Sequence, residues 1–311
     1  MQEHSPASAF QNENHSVITI GTFDGVHIGH KAILKRLVAA ASNDGLDSVL
    51  LTFFPHPRMV LQKDSEIKML NTLSEKKALL EQTGLDHLVI HPFTHQFSRL
   101  TAVEYVRDIL VNKLRAKKII IGYDHRFGRN RTADINDLKE FGETYGFQVE
   151  EIDAQELNDV AVSSTKIRNA LIEGDINTAN NYLGYSFMIT GTVVKGKGIG
   201  KTWEYPTANL QPLDNYKLIP KNGVYITQAI INGSHTFGIT SIGTNPTVGG
   251  KARTIETFFL DTDTNLYGKE LRLEFLQFIR SEATFKTVDK LKEAIRQDEQ
   301  KARDFIATLD G

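Results

Sequence analysis

The chain has 311 residues, 40% of them hydrophobic and 24% charged, which is enough for two domains with a core each. Its formal net charge of -2 offers no global attraction to nucleic acid or an anionic membrane, so any phosphate recognition has to be local. The absence of cysteine excludes disulfides, thiolate catalysis and Cys-based zinc sites, and it fits a reducing cytosol.

The first sixteen residues are polar, with Glu3, His4, Ser5 and Pro6 where a signal peptide would need basic residues and an apolar core. No apolar run approaches the ~20 residues that span a bilayer. A cytoplasmic protein with no membrane or nucleic-acid partner is expected. Assembly into a homo-oligomer is left open.

The first predicted strand, Val17 to Ile20, runs straight into Gly21-Thr22-Phe23-Asp24-Gly25-Val26-His27-Ile28-Gly29-His30. The following helix places Ile33, Leu34, Leu37, Val38 and Ala41 on one face. Strand, glycine turn and helix start together make an anion site, because the first backbone N–H groups of a helix lack partners within it. His27 and His30, on neighbouring faces of the first turn, can donate to phosphate oxygens and carry charge as a pyrophosphate leaving group develops.

Next comes the apolar run Ser48 to Phe54, a strand closed by Pro55-His56-Pro57. Ser74 caps a helix that runs through Glu81 and stops at Gly84, and the strand His87 to Ile90 follows. Thr101 and Glu104 form a capping box ahead of Val103, Val106, Ile109, Leu110 and Leu114, which predicts one helix to about Leu114. The strand Lys118 to Ile121 ends in Gly122-Tyr123-Asp124-His125-Arg126-Phe127-Gly128. A helix from Ile135 to Tyr145 then stops at Gly146 and leads to the strand Phe147 to Ile152.

Alternating strands and helices predict a doubly wound parallel sheet of Rossmann type, whose ligands bind beyond the carboxyl ends of the strands. The glycine-rich turn, Pro55-His56-Pro57 and the Gly122 to Gly128 stretch should converge there. Arg126, Arg129 and Arg131 offer a phosphate clamp, with a solvated basic loop as the plainer alternative. Ser163-Ser164-Thr165 opens another helix with Arg168 one turn on. One hydroxyl would suffice as a cap, so the set reads as a second anion site. A short helix from Ile176 to Tyr182 ends at Gly184, where the domain boundary is placed, giving domains 1–184 and 185–311.

Beyond Phe187 the period changes to two, with strands at Ile189 to Val194, Val224 to Ile231, Thr236 to Ile242, Arg253 to Leu260 and Leu271 to Ile279. Asn232-Gly233 is a hairpin signal, and the only helix runs from Val288 to Leu309. The second half is therefore an antiparallel barrel or sandwich with one closing helix. Gly196-Lys197-Gly198-Ile199-Gly200-Lys201-Thr202 is too short between its glycines for a Walker A loop, and reads as a flap over phosphates. Asp261 to Asn265 imitates a calcium loop, but Leu266 stands where the glycine belongs.

In the extended stretch Tyr205-Pro206-Thr207-Ala208-Asn209, Thr207 and Asn209 face one side and can present a hydroxyl and an amide oxygen to magnesium. Glu256, the one acid in its strand, suits a general base acting on a substrate hydroxyl.

These residues resemble the bifunctional bacterial riboflavin kinase/FMN adenylyltransferase, or FAD synthetase, family. The resemblance rests on GTFDGVHIGH (21–30), TFFPHP (52–57), GYDHRFG (122–128), SSTKIR (163–168), YPTANL (205–210), GVYI (223–226), IGTNPT (242–247), IETFFLD (255–261), LYG (266–268) and FIRSEATF (278–285), in the family order. It implies that the first domain adenylylates FMN to FAD with release of pyrophosphate, His27 and His30 stabilising the ATP phosphates. Gly21, Phe23, Asp24, Gly25, Gly29, Asp124, Ser163, Ser164, Thr165 and Arg168 match its nucleotide-site motifs.

The second domain, a small β-barrel, would phosphorylate riboflavin to FMN, leaving ADP. There Thr207 and Asn209 would hold Mg2+ and phosphate, Glu256 would take the ribityl hydroxyl proton, and Gly196, Gly198 and Gly200 would form the flap. The sequence departs from the family at His125, Lys201 and Glu204-Tyr205. Glu204 puts a negative charge beside the proposed phosphate site and motivates a narrower alternative, an adenylyltransferase whose kinase barrel only binds flavin. A flavin-sensing or RNA-associated regulator is disfavoured by the near-neutral charge and the intact motif sets.

Overall fold

The computed structural model describes residues 1–62, 67–122, 125–152, 162–196, 205–244, 253–262 and 264–309. By internal packing the chain divides into two compact units, Met1–Lys68 with Leu73–Ser163, and Met69–Thr72 with Ser164–Gly311. The expected boundary at Gly184 falls inside the second.

The first unit holds strands β1 (Gln2–His4), β2 (Ser16–Ile20), β3 (Asp47–Phe54), β4 (His87–Pro92), β5 (Ala116–Gly122) and β6 (Gln148–Ile152). They form one sheet in the order β1-β4-β3-β2-β5-β6, every pairing parallel. The doubly wound sheet read from the alternation is present. Its helices are α1 (Ile28–Asp44), α2 (Pro57–Leu61), α3 (Leu73–Glu81), α4 (Ala102–Glu104) and α5 (Ile135–Tyr145).

β2 is buried along its whole length, as its β-branched apolar sequence requires of a central parallel strand. Ile18, Ile20, Val49, Leu51, Ile119 and Ile121 pack with Tyr105, Val106, Ile109, Leu110 and Leu138 in one core cluster. α1 packs on β2, β3 and β5, with Leu34 and Leu37 fully buried.

Three features differ from expectation. β1 joins the sheet edge although its sequence is polar; backbone pairing to β4 and a 3.1 Å contact between His4 Nε2 and His87 Nδ1 hold it. The capping box at Thr101 and Glu104 forms, but the α-helix it opens becomes a π-helix over Tyr105–Val111. The buried positions Tyr105/Val106, Ile109/Leu110 and Leu114 recur every four to five residues, which suits the wider turn. α3 begins at Leu73, so Ser74 lies within it rather than capping it.

The second unit opens with α6 (Ser164–Glu173) and α7 (Ile176–Leu183), followed by β7 (Met188–Val194), β8 (Ala208–Pro212), β9 (Gly223–Ile231), β10 (Ser234–Thr244), β11 (Arg253–Phe259), β12 (Glu270–Ser281) and α8 (Val288–Ala307). The six strands close into a barrel in the order β10-β11-β8-β7-β12-β9. Of the two all-β architectures considered, the barrel is the one adopted. Asn232 and Gly233, at φ 50 and 84, make the hairpin turn between β9 and β10. Register shifts in β12 at Phe275/Gln277 and Phe278/Arg280 supply the bends that closure needs. Met69–Thr72 is lashed to this unit: Met69 N donates to the Tyr216 carbonyl (2.7 Å), Leu218 N donates to the Met69 carbonyl (2.8 Å), and the buried Lys217 donates to the Leu70 carbonyl.

α8 covers one barrel face, packing Ala302, Phe305 and Ile306 against Val224, Ile226, Ile239 and Leu260. Its Asp298, 2% exposed, takes hydrogen bonds from Arg280 Nε at 3.0 Å and Nη2 at 2.7 Å. Removing the guanidinium strands the buried Asp298 carboxylate, so Arg280→Met is expected to cost about 3–5 kcal/mol, read as the denaturation midpoint of the intact chain. The paired change Arg280→Met with Asp298→Leu should recover most of that loss, because it removes both charges.

Candidate active sites

Strands running β2 to β3 to β4 build the sheet in one direction, and the chain then crosses back to place β5 on the other side of β2. The gap between β2 and β5 is thus the topological switch point, where open α/β sheets bind ligands. The loops after β2, β3 and β5 leave the same edge because these strands are parallel neighbours. Gly21 to His30 and the described part of the 122–128 stretch, Gly122 and residues 125–128, flank the switch point. Asp124 lies outside the described residues.

The turn after β2 is tightly built. A Cβ on Gly21 would meet the Phe23 ring at 2.9 Å, so only glycine lets that ring fold back against the strand end. Phe23, Gly25 and Val26 all take positive φ (46, 91 and 37), and Phe23 and Val26 are buried. Their strained backbone delivers His27 to the N-cap of α1, where its Nδ1 accepts from His30 N at 3.3 Å. The His27 and His30 rings stack at 3.6 Å and 17°, and Phe23 stacks on the other side of His30 at 4.5 Å. Asp24 is 1% exposed beneath the turn and Gly29 lies beside the His27 ring. The turn residues expected to act together, Gly21, Phe23, Asp24, Gly25, His27, Gly29 and His30, are therefore one compact group.

Burial pushes His27 down to about 4 against the opposing pull of Asp24. His30 is held well below the ordinary histidine range by burial, with His27 and Lys76 adding to it. Both imidazoles are neutral at pH 7 in this state. With Nδ1 of His27 accepting from His30 N, the proton of the neutral His27 ring sits on Nε2, where it can be donated. Nδ1 of His30 is buried without a hydrogen-bond partner among the described residues. Lys76 of α3, absent from the sequence-derived set, donates from Nζ to the Thr22 carbonyl at 2.7 Å at the base of this turn.

The remaining anion-site candidates are differently placed. Arg126 is paired with Asp134 at 3.3 Å, and Arg129 Nε donates to the Arg99 carbonyl at 2.9 Å. Two of the three clamp arginines thus have structural partners. Ser163 ends the first unit, while Ser164, Thr165 and Arg168 open α6, which packs with the second.

In the second unit the register pairs Glu256 of β11 with Asn209 of β8, and Thr207 Oγ1 donates to Glu256 Oε2 at 3.4 Å. Alternation separates the faces of β11. Ile255, Thr257 and Phe259 are buried, whereas Glu256 is half-buried on the side of Phe258, which meets Tyr205 edge-on at 5.0 Å. A Cβ on Gly196 would overlap the Asn209 amide, so the glycine lets the backbone at 196 lie against it. Thr207, Asn209, Glu256 and Gly196 are brought together. Gly198 and Gly200, with Lys201 and Glu204, lie outside the described residues.

Comparison with known proteins agrees with this two-site division. A family model described as FAD synthetase matches residues 9–166, and one described as riboflavin kinase matches residues 183–306. The bifunctional riboflavin kinase/FMN adenylyltransferase of Listeria monocytogenes is 36% identical over 296 residues, 94% of this chain and 93% of that protein. The chain belongs to the bifunctional riboflavin kinase/FMN adenylyltransferase family.

The member of that family from Escherichia coli K12 is also 36% identical, over 93% of this chain and 92% of its own length. A solved structure described as a macrolide-efflux protein from Streptococcus pneumoniae matches with a TM-score of 0.88 at 29% identity, covering 97% of this chain and 98% of that one. Among the described residues no helix is long and apolar enough to cross a membrane. Both domains of the riboflavin kinase/FMN adenylyltransferase family are present in one chain, which makes this an ATP-dependent transferase of flavin cofactor synthesis. That favours the bifunctional reading over the adenylyltransferase-only alternative.

Proposed function

We propose that the two clusters divide the family's reactions between them, within the domains 1–184 and 185–311. At the Thr207, Asn209 and Glu256 cluster the 5′-hydroxyl of riboflavin attacks the γ-phosphorus of ATP. Glu256 takes the hydroxyl proton, the new P–O bond gives FMN, and ADP leaves. At the turn Gly21 to His30 an oxygen of the FMN phosphate attacks the α-phosphorus of a second ATP. FAD forms and pyrophosphate leaves with the electron pair of the broken P–O bond.

His27 and His30 supply N–H donors to the phosphates, and the start of α1 adds backbone donors. Gly21, Gly25 and Gly29 keep the backbone close to the ligand. Asp24, Asp124 and Ser163 complete the nucleotide site, and the family motif assigns Ser164, Thr165 and Arg168 of α6 to the same reaction, with Arg168 countering phosphate charge.

Magnesium fits the kinase cluster by donor chemistry: a hydroxyl, an amide and one carboxylate, with Gly196 leaving the Asn209 amide uncovered by any side chain of its own. Thr207 and Asn209 would hold it, and when bound it supplies charge neutralisation to the ATP phosphates. Glu256 remains the group that moves the proton.

The observation that carries this reading is the presence of two separate clusters, the Gly21 to His30 turn in the first unit and Thr207, Asn209 and Glu256 in the second. The test is incubation of the purified chain with riboflavin, ATP and magnesium, followed by chromatography. FMN should accumulate first and FAD after it. FAD made only from supplied FMN would remove the kinase assignment, and turnover of neither flavin would remove both.

A further inference from the structure

Lys76 is a buried ion that neither proposed reaction uses. It lies on the first turn of α3, is 5% exposed, and its ammonium donates to the Thr22 carbonyl at 2.7 Å. Burying an ammonium costs several kcal/mol unless the site compensates it, so a lysine in this position calls for a reason. Two compensations are visible. The Thr22 carbonyl stands where β2 ends and the turn begins, and the buried Asp24 opposes the fall in basicity that burial imposes on Lys76.

The Thr22 carbonyl receives a second side-chain hydrogen bond, from Thr52 Oγ1 of β3 at 3.2 Å. Side chains from β3 and α3 therefore converge on one peptide oxygen at the head of the turn. The next residues are those with strained backbone, Phe23 at φ 46 and Val26 at φ 37. Sparsely populated conformations of this kind are costly and persist only where the surroundings over-determine them. A carbonyl clamped from two elements is such a surrounding. The strain is what brings Phe23 under His30 and His27 onto the helix cap, because the backbone of this short turn fixes where each ring begins.

We infer that Lys76 is a positioning residue of the adenylyl-transfer site, its ammonium pinning the Thr22 carbonyl so that the turn presents the stacked His27 and His30 rings to the ATP phosphates. The substrate role of those rings rests on the function proposed above; the pinning of the turn does not. Lys76 acts through the turn and need not touch substrate. A cation binding phosphate directly would raise KM for ATP when removed. A positioning residue lowers kcat, because misplacing donors by about 1 Å costs on the order of 10²-fold in the transition state.

The experiment compares wild type, Lys76→Met and Lys76→Arg as full-length chains. Lys76→Met keeps the length and apolar stem of the side chain while removing the donor, and Lys76→Arg keeps a donor and a charge. FAD formation from FMN should fall ~100-fold in kcat in Lys76→Met, with KM for ATP changed less than about threefold, and Lys76→Arg should recover at least ~10-fold of that loss. Riboflavin phosphorylation should stay within about twofold in both.

A second readout is independent of turnover. The ring protons of His27 and His30, shifted by stacking at 3.6 Å, should move toward unstacked positions in the NMR spectrum of folded Lys76→Met and return in Lys76→Arg. Unchanged ring signals and an unchanged kcat in folded Lys76→Met would overturn the inference, as would a defect confined to KM. If Lys76→Met failed to fold, Lys76→Arg with full activity and wild-type ring signals would support the pinning, and Lys76→Arg with displaced ring signals would overturn it. Should wild type form no FAD at all, the adenylyltransferase reading fails while the ring signals still decide the role of Lys76.

Discussion

His30→Ala is expected to lower FAD formation from supplied FMN by about 10²–10³-fold, the usual loss when one preorganised donor to a developing negative charge is removed. The structure gives two reasons for an effect at that end of the scale. The His30 ring is the middle layer of a stack, 4.5 Å from Phe23 and 3.6 Å from His27, so truncation also removes the support that orients His27. Its Nδ1 has no hydrogen-bond partner among the described residues, so in the function proposed above the loss of the ring removes a phosphate donor and a stacking layer without breaking a bond from Nδ1 to another residue.

Riboflavin phosphorylation in the same protein should be unaffected, since Glu256, Thr207 and Asn209 belong to the other unit. His30→Gln, which keeps an N–H donor but not the stacked ring, should fall between wild type and alanine. Chromatography of both flavin products in one assay reads these outcomes together. Loss of both activities in a folded His30→Ala protein would mean that the two sites are not separate.

What the sequence makes legible depends on what holds each element. β2, its glycine turn and α1 were legible because a buried parallel strand is apolar throughout and a helix start needs donors and a glycine-permissive backbone. The barrel was legible from its alternation and from Asn232-Gly233. β1 was not, because a polar edge strand is held by backbone pairing and the His4–His87 contact, which periodicity does not register.

The π-helix after Glu104 reads as an ordinary helix when only the capping box and apolar spacing are weighed. Lys76 sits in the charged run Glu75-Lys76-Lys77, which hides it among surface charges. Its signal was there in the helical register: Lys76 shares the buried side of α3 with Leu79 and Leu80, a place where lysine is costly. The pairing of Glu256 with Asn209 joins strands far apart in the chain. Each residue was separately suspicious, but no local pattern puts them opposite one another.

The converse substitution should separate the chemistry of the second site from its architecture. Glu256→Gln keeps size, shape and an oxygen able to accept the Thr207 hydroxyl, now 3.4 Å from Oε2, while removing the ability to take a proton at neutral pH. A general base contributes about 10²–10⁴-fold, so riboflavin phosphorylation is expected to fall within that range with little change in the denaturation midpoint. Conversion of supplied FMN to FAD should continue at the wild-type rate, because the Gly21 to His30 turn lies in the other unit.

Glu256→Ala should lose at least as much kinase activity and, in addition, leave the Thr207 hydroxyl and the Asn209 side chain without their neighbour across the strand pair. The difference between the two variants therefore measures how far the carboxylate organises the cluster, beyond accepting the proton. A Glu256→Gln enzyme that still phosphorylated riboflavin within about tenfold of wild type would remove Glu256 as the base, since that residual loss is smaller than proton transfer to a positioned side chain is worth. The Thr207 and Asn209 assignment would survive that result. It predicts a different signature, a rise in the magnesium concentration needed for half-maximal phosphorylation when Asn209 is changed to alanine, which Glu256→Gln should move far less.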